Sequence, residues 1–162
     1  MYTVDDRDRV IELADVPASA VGAPLPVVLG AELTCVVLYC TQNVPSGYDS
    51  TDESVARVTF EMPYASRFGP PNDEAFAGHP LADRGLHPYG AFEVLESSWI
   101  RQLERMNSVH PSHRASMFER YRHFIFAFHD STFECVAEGY SAEITTGSLQ
   151  DVLQSMGSGW LQ

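Results

Sequence analysis

The stretch "RHFIFAFHDSTFECVAEGY", residues 122–140, constrains the fold of this chain more than any other. Two apolar runs flank His129-Asp130-Ser131-Thr132. Pairing the runs around Asp130-Ser131 sets Phe128 opposite Phe133, Phe126 opposite Cys135 and Phe124 opposite Ala137. The other parity sets His129 opposite Thr132, Ala127 opposite Glu134, Ile125 opposite Val136 and His123 opposite Glu138. One register thus sorts an aromatic face from a mixed polar face, as alternating strand side chains require. The sorting is the same for a loop of two or four residues. Asp and Ser are turn formers, although a two-residue turn without Gly is not the favoured hairpin chemistry. Each buried Phe is worth roughly 1.5–3 kcal/mol, so the aromatic face predicts a core.

The turn also carries the letters of a hydrolytic triad. Adjacent side chains on a tight turn splay apart, whereas nucleophile, base and acid converge from distant segments. No Gly-x-Ser-x-Gly elbow occurs in the chain. The hairpin reading therefore wins over a Ser131 nucleophile.

The remaining pattern predicts an α+β fold: a single antiparallel sheet of about five strands, with two main helices packed on one face, in one domain over 1–162. "ELTCVVLYCT", 32–41, is apolar on both parities and reads as a central strand covered on both faces, by the long loop or by a second copy of the chain. "SVARVTFEMPY", 54–64, alternates, with Ala56, Val58, Phe60, Met62 and Tyr64 on one face and Arg57, Thr59 and Glu61 on the other. Pro63 marks its end or a sheet edge. Residues 65–89 read as one long loop, uncommon inside a compact domain. "GAFEVLE" and "SAEITT" are strand-like, while "DRDRVIELADV" reads equally as helix or strand. "SSWIRQLERMN" is a helix capped by Ser97 or Ser98, and its Trp99–Met106 stripe is expected to cover the Phe face. "SLQDVLQSM" is a last helix that stops at Gly157. "QNVPSGYDSTDE" is a polar turn region and "GSGWLQ" a tail or docking peptide.

Charge narrows the function classes. Ten basic residues, all Arg, oppose 22 acidic ones, a formal net of −12. Such a surface disfavours nucleic acid and anionic membranes, which need cationic contacts. It suits a basic protein partner. No apolar run is long enough to span a bilayer, and "MYTVDDRDRV" lacks the pattern of a signal peptide. The expected location is cytoplasmic. Three Cys without a Cys-x-x-Cys pair argue against disulfide scaffolding and structural zinc. Cys35 and Cys135 read as small core residues.

Chemistry is expected on the polar face, under the long loop. His129 and Glu134, joined by His79 from "GHPLADRGLHPYG", are the candidate acid–base groups. His87, Arg57, Glu61 and His123 are candidate ligand contacts. Proline after His79, His87 and His110 biases each to extended backbone. His110 and His113 in "HPSH" have a weak metal spacing, and no metal site is assigned. Phosphate-binding Gly motifs are absent, so no cofactor is named. The leading expectation is a ligand-binding or interaction module, with a small-molecule pocket between the polar face and loop 67–89. The alternatives are a small hydrolase or lyase with His/Glu acid–base groups, metal-assisted or not, and an acidic inhibitor of a basic partner.

Overall fold

The computed structural model describes residues 2–42 and 53–157. The turn region read over 42–53 falls largely, and the tail read over 157–162 almost wholly, outside them. The described strands form two antiparallel sheets, not the single sheet expected. The first is ordered β1 (Arg9–Glu12), β6 (Ala91–Leu95), β7 (Arg122–Ala127), β8 (Thr132–Ala137) and β5 (Ala65–Gly69). The second is ordered β2 (Val27–Gly30), β3 (Cys35–Cys40), β4 (Ser54–Glu61) and β9 (Gly139–Thr146).

The hairpin β7–β8 forms with the expected parity but a register shifted by two. Phe126 faces Phe133 and Phe124 faces Cys135. The Phe128 amide donates to the Ser131 carbonyl at 2.8 Å, so the chain turns at His129-Asp130. A shift of two leaves every side chain on its face. Phe124, Phe126, Phe128, Phe133 and Cys135 all point into one core.

What covers that core differs from the expectation. Val37, Tyr39, Ala56, Val58 and Phe60 of the second sheet pack on it. The Phe60 ring lies 5.8, 5.7 and 5.4 Å from those of Phe124, Phe126 and Phe133. The cause of the second sheet lies at Met62-Pro63. Met62 adopts φ 47° and Pro63 lacks an N–H, so β4 ends there. The chain then crosses to the first sheet as β5 along β8. Met62 and Tyr64, expected on the buried face of β4, are exposed as a result.

The two helices do not share a face either. α1 (Ser98–Asn107) lies over the outer face of the first sheet, where Trp99 joins Phe92, Val94 and Ile125. Met106, expected in the core-facing stripe, is 64% exposed. α2 (Leu149–Met156) covers the second sheet, packing Leu149, Val152, Leu153 and Met156 on Val36, Leu38 and Val55. The doubly apolar β3 is thus covered by the first sheet and by α2, not by the long loop or a second copy. Ser148 and Asp151 form a capping box on α2. Ser148→Ala is expected to cost about 1 kcal/mol, read as a lowered urea midpoint with an unchanged slope.

The long loop holds β5 and two single 3₁₀ turns, Phe76–Gly78 and Ala82–Arg84. It folds over the outer face of the first sheet. Phe76, Leu81 and Leu86 bury themselves against Phe92, Ile125 and Ala127. No helix among the described residues is long and apolar enough to cross a membrane.

Candidate functional site

Two polar centres lie where the loop meets the first sheet. The inner one is built on Glu134, which is 1% exposed. Its Oε2 accepts from the Tyr2 hydroxyl at 2.8 Å and from His123 Nε2 at 3.1 Å. Its Oε1 faces His79 Nε2 at 3.3 Å and pairs with Arg67 Nη1 at 3.3 Å. Five chain segments therefore converge on one carboxylate. Strand β8 supplies Glu134, and β7 supplies His123, placed diagonally, two positions from Ile125, the register partner of Glu134. β5 supplies Arg67, directly opposite Glu134 in register. His79 arrives on the loop in the extended backbone that Pro80 favours, with φ −67° and ψ 137°.

The hydrogen bonds fix the protons. His79 Nδ1 accepts from the Leu81 amide at 3.2 Å, so its Nε2–H donates to Glu134. Burial pushes the His123 pKa down, outweighing the pull of Glu134. Neutral His123 donates through Nε2 and accepts through Nδ1 from Ser97 Oγ, 2.9 Å away. Burial alone would raise the Glu134 pKa. Hydrogen bonds from His123, His79 and Tyr2 outweigh it and hold the carboxyl below its usual range. Burial, then the neighbouring Glu134 charge, push the Tyr2 hydroxyl up. Arg67 is the cation nearest to this anion.

Ser97, His123 and Glu134 thus have the connectivity of nucleophile, base and acid. Acyl transfer also needs donors aimed at a developing oxyanion. Two amides at the start of α1 are already bonded: Ser98 N–H to Asp8 Oδ1 at 2.6 Å, and Ile100 N–H to Ser97 Oγ at 3.3 Å. Ser97 is itself 3% exposed. It works as the N-cap of α1, and the inner centre works as a polar anchor in which Arg67 Nη1 is held by charge, without a hydrogen-bond partner. Among the described residues no group of three or more His, Cys, Asp or Glu is placed to hold a metal ion. His113 spends Nδ1 on Asn107 at 3.0 Å and Nε2 on Glu104 at 2.8 Å.

The outer centre faces solvent at the hairpin tip. Asp73 Oδ2 accepts from the Tyr89 hydroxyl at 2.6 Å and from His129 Nδ1 at 2.9 Å. The Tyr89 oxygen and His129 Nδ1 are also 2.8 Å apart. The Tyr89 hydrogen bond outweighs partial burial and, with that of His129, holds the Asp73 pKa down. The same hydrogen bond pushes the Tyr89 hydroxyl up to about 12. Tyr89 adopts φ 63°, a left-handed conformation costly for a bulky residue. With Nδ1 held by Asp73, His129 Nε2 is left toward solvent, 3.9 Å from Asp130 Oδ1.

The structure brings His79, His123 and Glu134 together, and sends His129 to the outer centre. His87 is half-exposed on the rim, with Nε2 3.4 Å from Glu12. Arg57 and Glu61 lie in the second sheet, not on the polar face of the first. Arg57 pairs with Glu143 at 3.5 Å and Glu61 is exposed at a strand end. They share no sheet with β7 and β8 because of the crossover at Pro63. Sequence reasoning passed over Tyr2, Arg67, Asp73 and Tyr89. The only available signal was Tyr89 following His87-Pro88 in the loop already singled out. Nothing local marks Tyr2, which reaches Glu134 across 132 positions. No protein-family model, curated protein or solved structure matches the chain.

Proposed function

We propose that the chain is a ligand-binding module whose small-molecule ligand docks at the rim between loop 67–89 and the β7–β8 tip. The observation that carries this reading is the outer centre. His129 presents a solvent-facing Nε2 whose tautomer is held by Asp73 and Tyr89, on backbone strained at Tyr89. An accepting nitrogen beside Asp73 and Asp130 favours a ligand rich in donors, such as an amine or a polyol. The inner centre supports the site from below by clamping the loop to β8.

His129→Ala is expected to leave stability within about 0.5 kcal/mol and to abolish binding of small amines or polyols. Ligand-observed NMR against a mixed panel of these, with wild type and variant side by side, reads both outcomes. Ligands bound equally by both proteins exclude the rim. The same oriented imidazole favours a second reading, acid–base chemistry with His129 as base and Tyr89 as proton donor. Turnover of any panel compound by wild type, lost in His129→Ala, separates catalysis from binding.

A further inference from the structure

We infer that the inter-sheet cavity beside Ser19 is a binding site for a small uncharged molecule with one hydrogen-bonding oxygen, of about the size of a three-carbon alcohol. The cavity, about 80 Å³, sits at one end of the sandwich between the two sheets. Its walls include the rings of Tyr39, Phe126 and Phe128 and the side chain of Val16. Ser19 lines it and is 5% exposed, yet its Oγ has no hydrogen-bond partner. A buried hydroxyl without a partner is destabilising and uncommon in a native interior. Ser19 is not free to turn its backbone away. The Ala20 amide donates to the Cys40 carbonyl at 2.8 Å and the Gln42 amide to the Ala18 carbonyl at 3.1 Å, pinning it on both sides.

The other hydroxyls lining the cavity are already used. Tyr39 donates to the Pro17 carbonyl at 2.7 Å, and Tyr89 donates to Asp73 in the outer centre. Ser19 Oγ is therefore the one lining hydroxyl, among the described residues, left without a partner. The volume corresponds to roughly two or three water molecules, at about 30 Å³ each in the liquid. Among the described residues the only charged lining group is Glu12, half of whose side chain or more is exposed and which faces His87. With no cation on the lining, a carboxylate or phosphate has nothing to pair with. A neutral molecule does, placing its carbons on the rings and its oxygen on Ser19.

Titration with 1-propanol, followed by methyl NMR, tests this on the whole chain. Saturable shifts are expected at Val16 and Ala91, and none with propionate. Ser19→Ala should weaken propanol binding about fivefold, the worth of one hydrogen bond, with the melting temperature unchanged or raised. Ala91→Val, which narrows the cavity, should abolish the shifts and gives an independent reading if the serine variant misfolds. Shifts that never saturate, equal affinity in Ser19→Ala, or undiminished binding in Ala91→Val overturn the inference.

Discussion

Glu134→Ala is expected to lower the unfolding free energy by about 3–5 kcal/mol, the range for breaking a buried ion pair from one side. The substitution strands the Arg67 guanidinium, two imidazole N–H groups and the Tyr2 hydroxyl around an apolar gap. Each left unpaired carries its own desolvation cost. From the sequence alone Glu134 read as an acid–base group on the polar sheet face, under the long loop. Its burial among four partners gives it a structural role. Glu134→Gln should fall between wild type and Ala. Its carbonyl still accepts from one imidazole, but its amide meets a second donor and the countercharge to Arg67 is gone. Urea unfolding of the three proteins at neutral pH measures this. A Glu134→Ala midpoint within error of wild type would show that the network contributes nothing to stability.

Acid is expected to undo the same centre in two stages. Burial depresses the His123 pKa below its ordinary 6.5, so the unfolded chain takes up a proton that the folded chain refuses. Stability is then full above pH 6.5 and falls as the pH drops below it, toward the folded value. Glu134 is also depressed, from an ordinary 4.5, by its hydrogen-bond donors. Its contribution is present above pH 4.5 and is lost as the pH falls further. Each proton taken up only by the unfolded chain costs up to about 1.4 kcal/mol per pH unit. Asp5 and Asp73 are held low too, but at the surface, where screening keeps their contributions small. Urea midpoints from pH 7.5 to 3 should therefore steepen twice. His123→Gln should remove the upper limb and leave the lower. A flat profile from pH 7 to 4 would mean that His123 titrates alike in both states.

The parity of residues 122–140 could be read directly, because burial on one face of a strand writes itself into every second residue. The helices could be read from their caps and stripes for the same local reason. What escaped was which layer meets which. A Phe face accepts a helix or a second sheet equally well, and only the crossover at Met62-Pro63 decides. Strand β5, "ASRFG", has too little apolar content to stand out, because its alternate residues stay half-exposed at a sheet edge. The candidate site was half legible. His79, His123 and Glu134 stood out as ionisable groups near an unusual loop, and they do meet. His129 parted from them because the turn falls one residue earlier than expected, at His129-Asp130, which places its ring over Asp73 and Tyr89 rather than down the strand. Tyr2 and Arg67 carried no local mark of their role, since each acts through partners distant in sequence.

The link between Tyr2 and Glu134, spanning 132 positions, sets an order of events during synthesis. On a translating ribosome Tyr2 waits until β8 has emerged before its hydroxyl finds this acceptor. Asp8 likewise waits 90 positions for the helix start it caps at Ser98. The segment from Tyr2 to Asp8 is thus made before the elements that hold it, and it stays unlatched until α1 and then β8 are outside the tunnel.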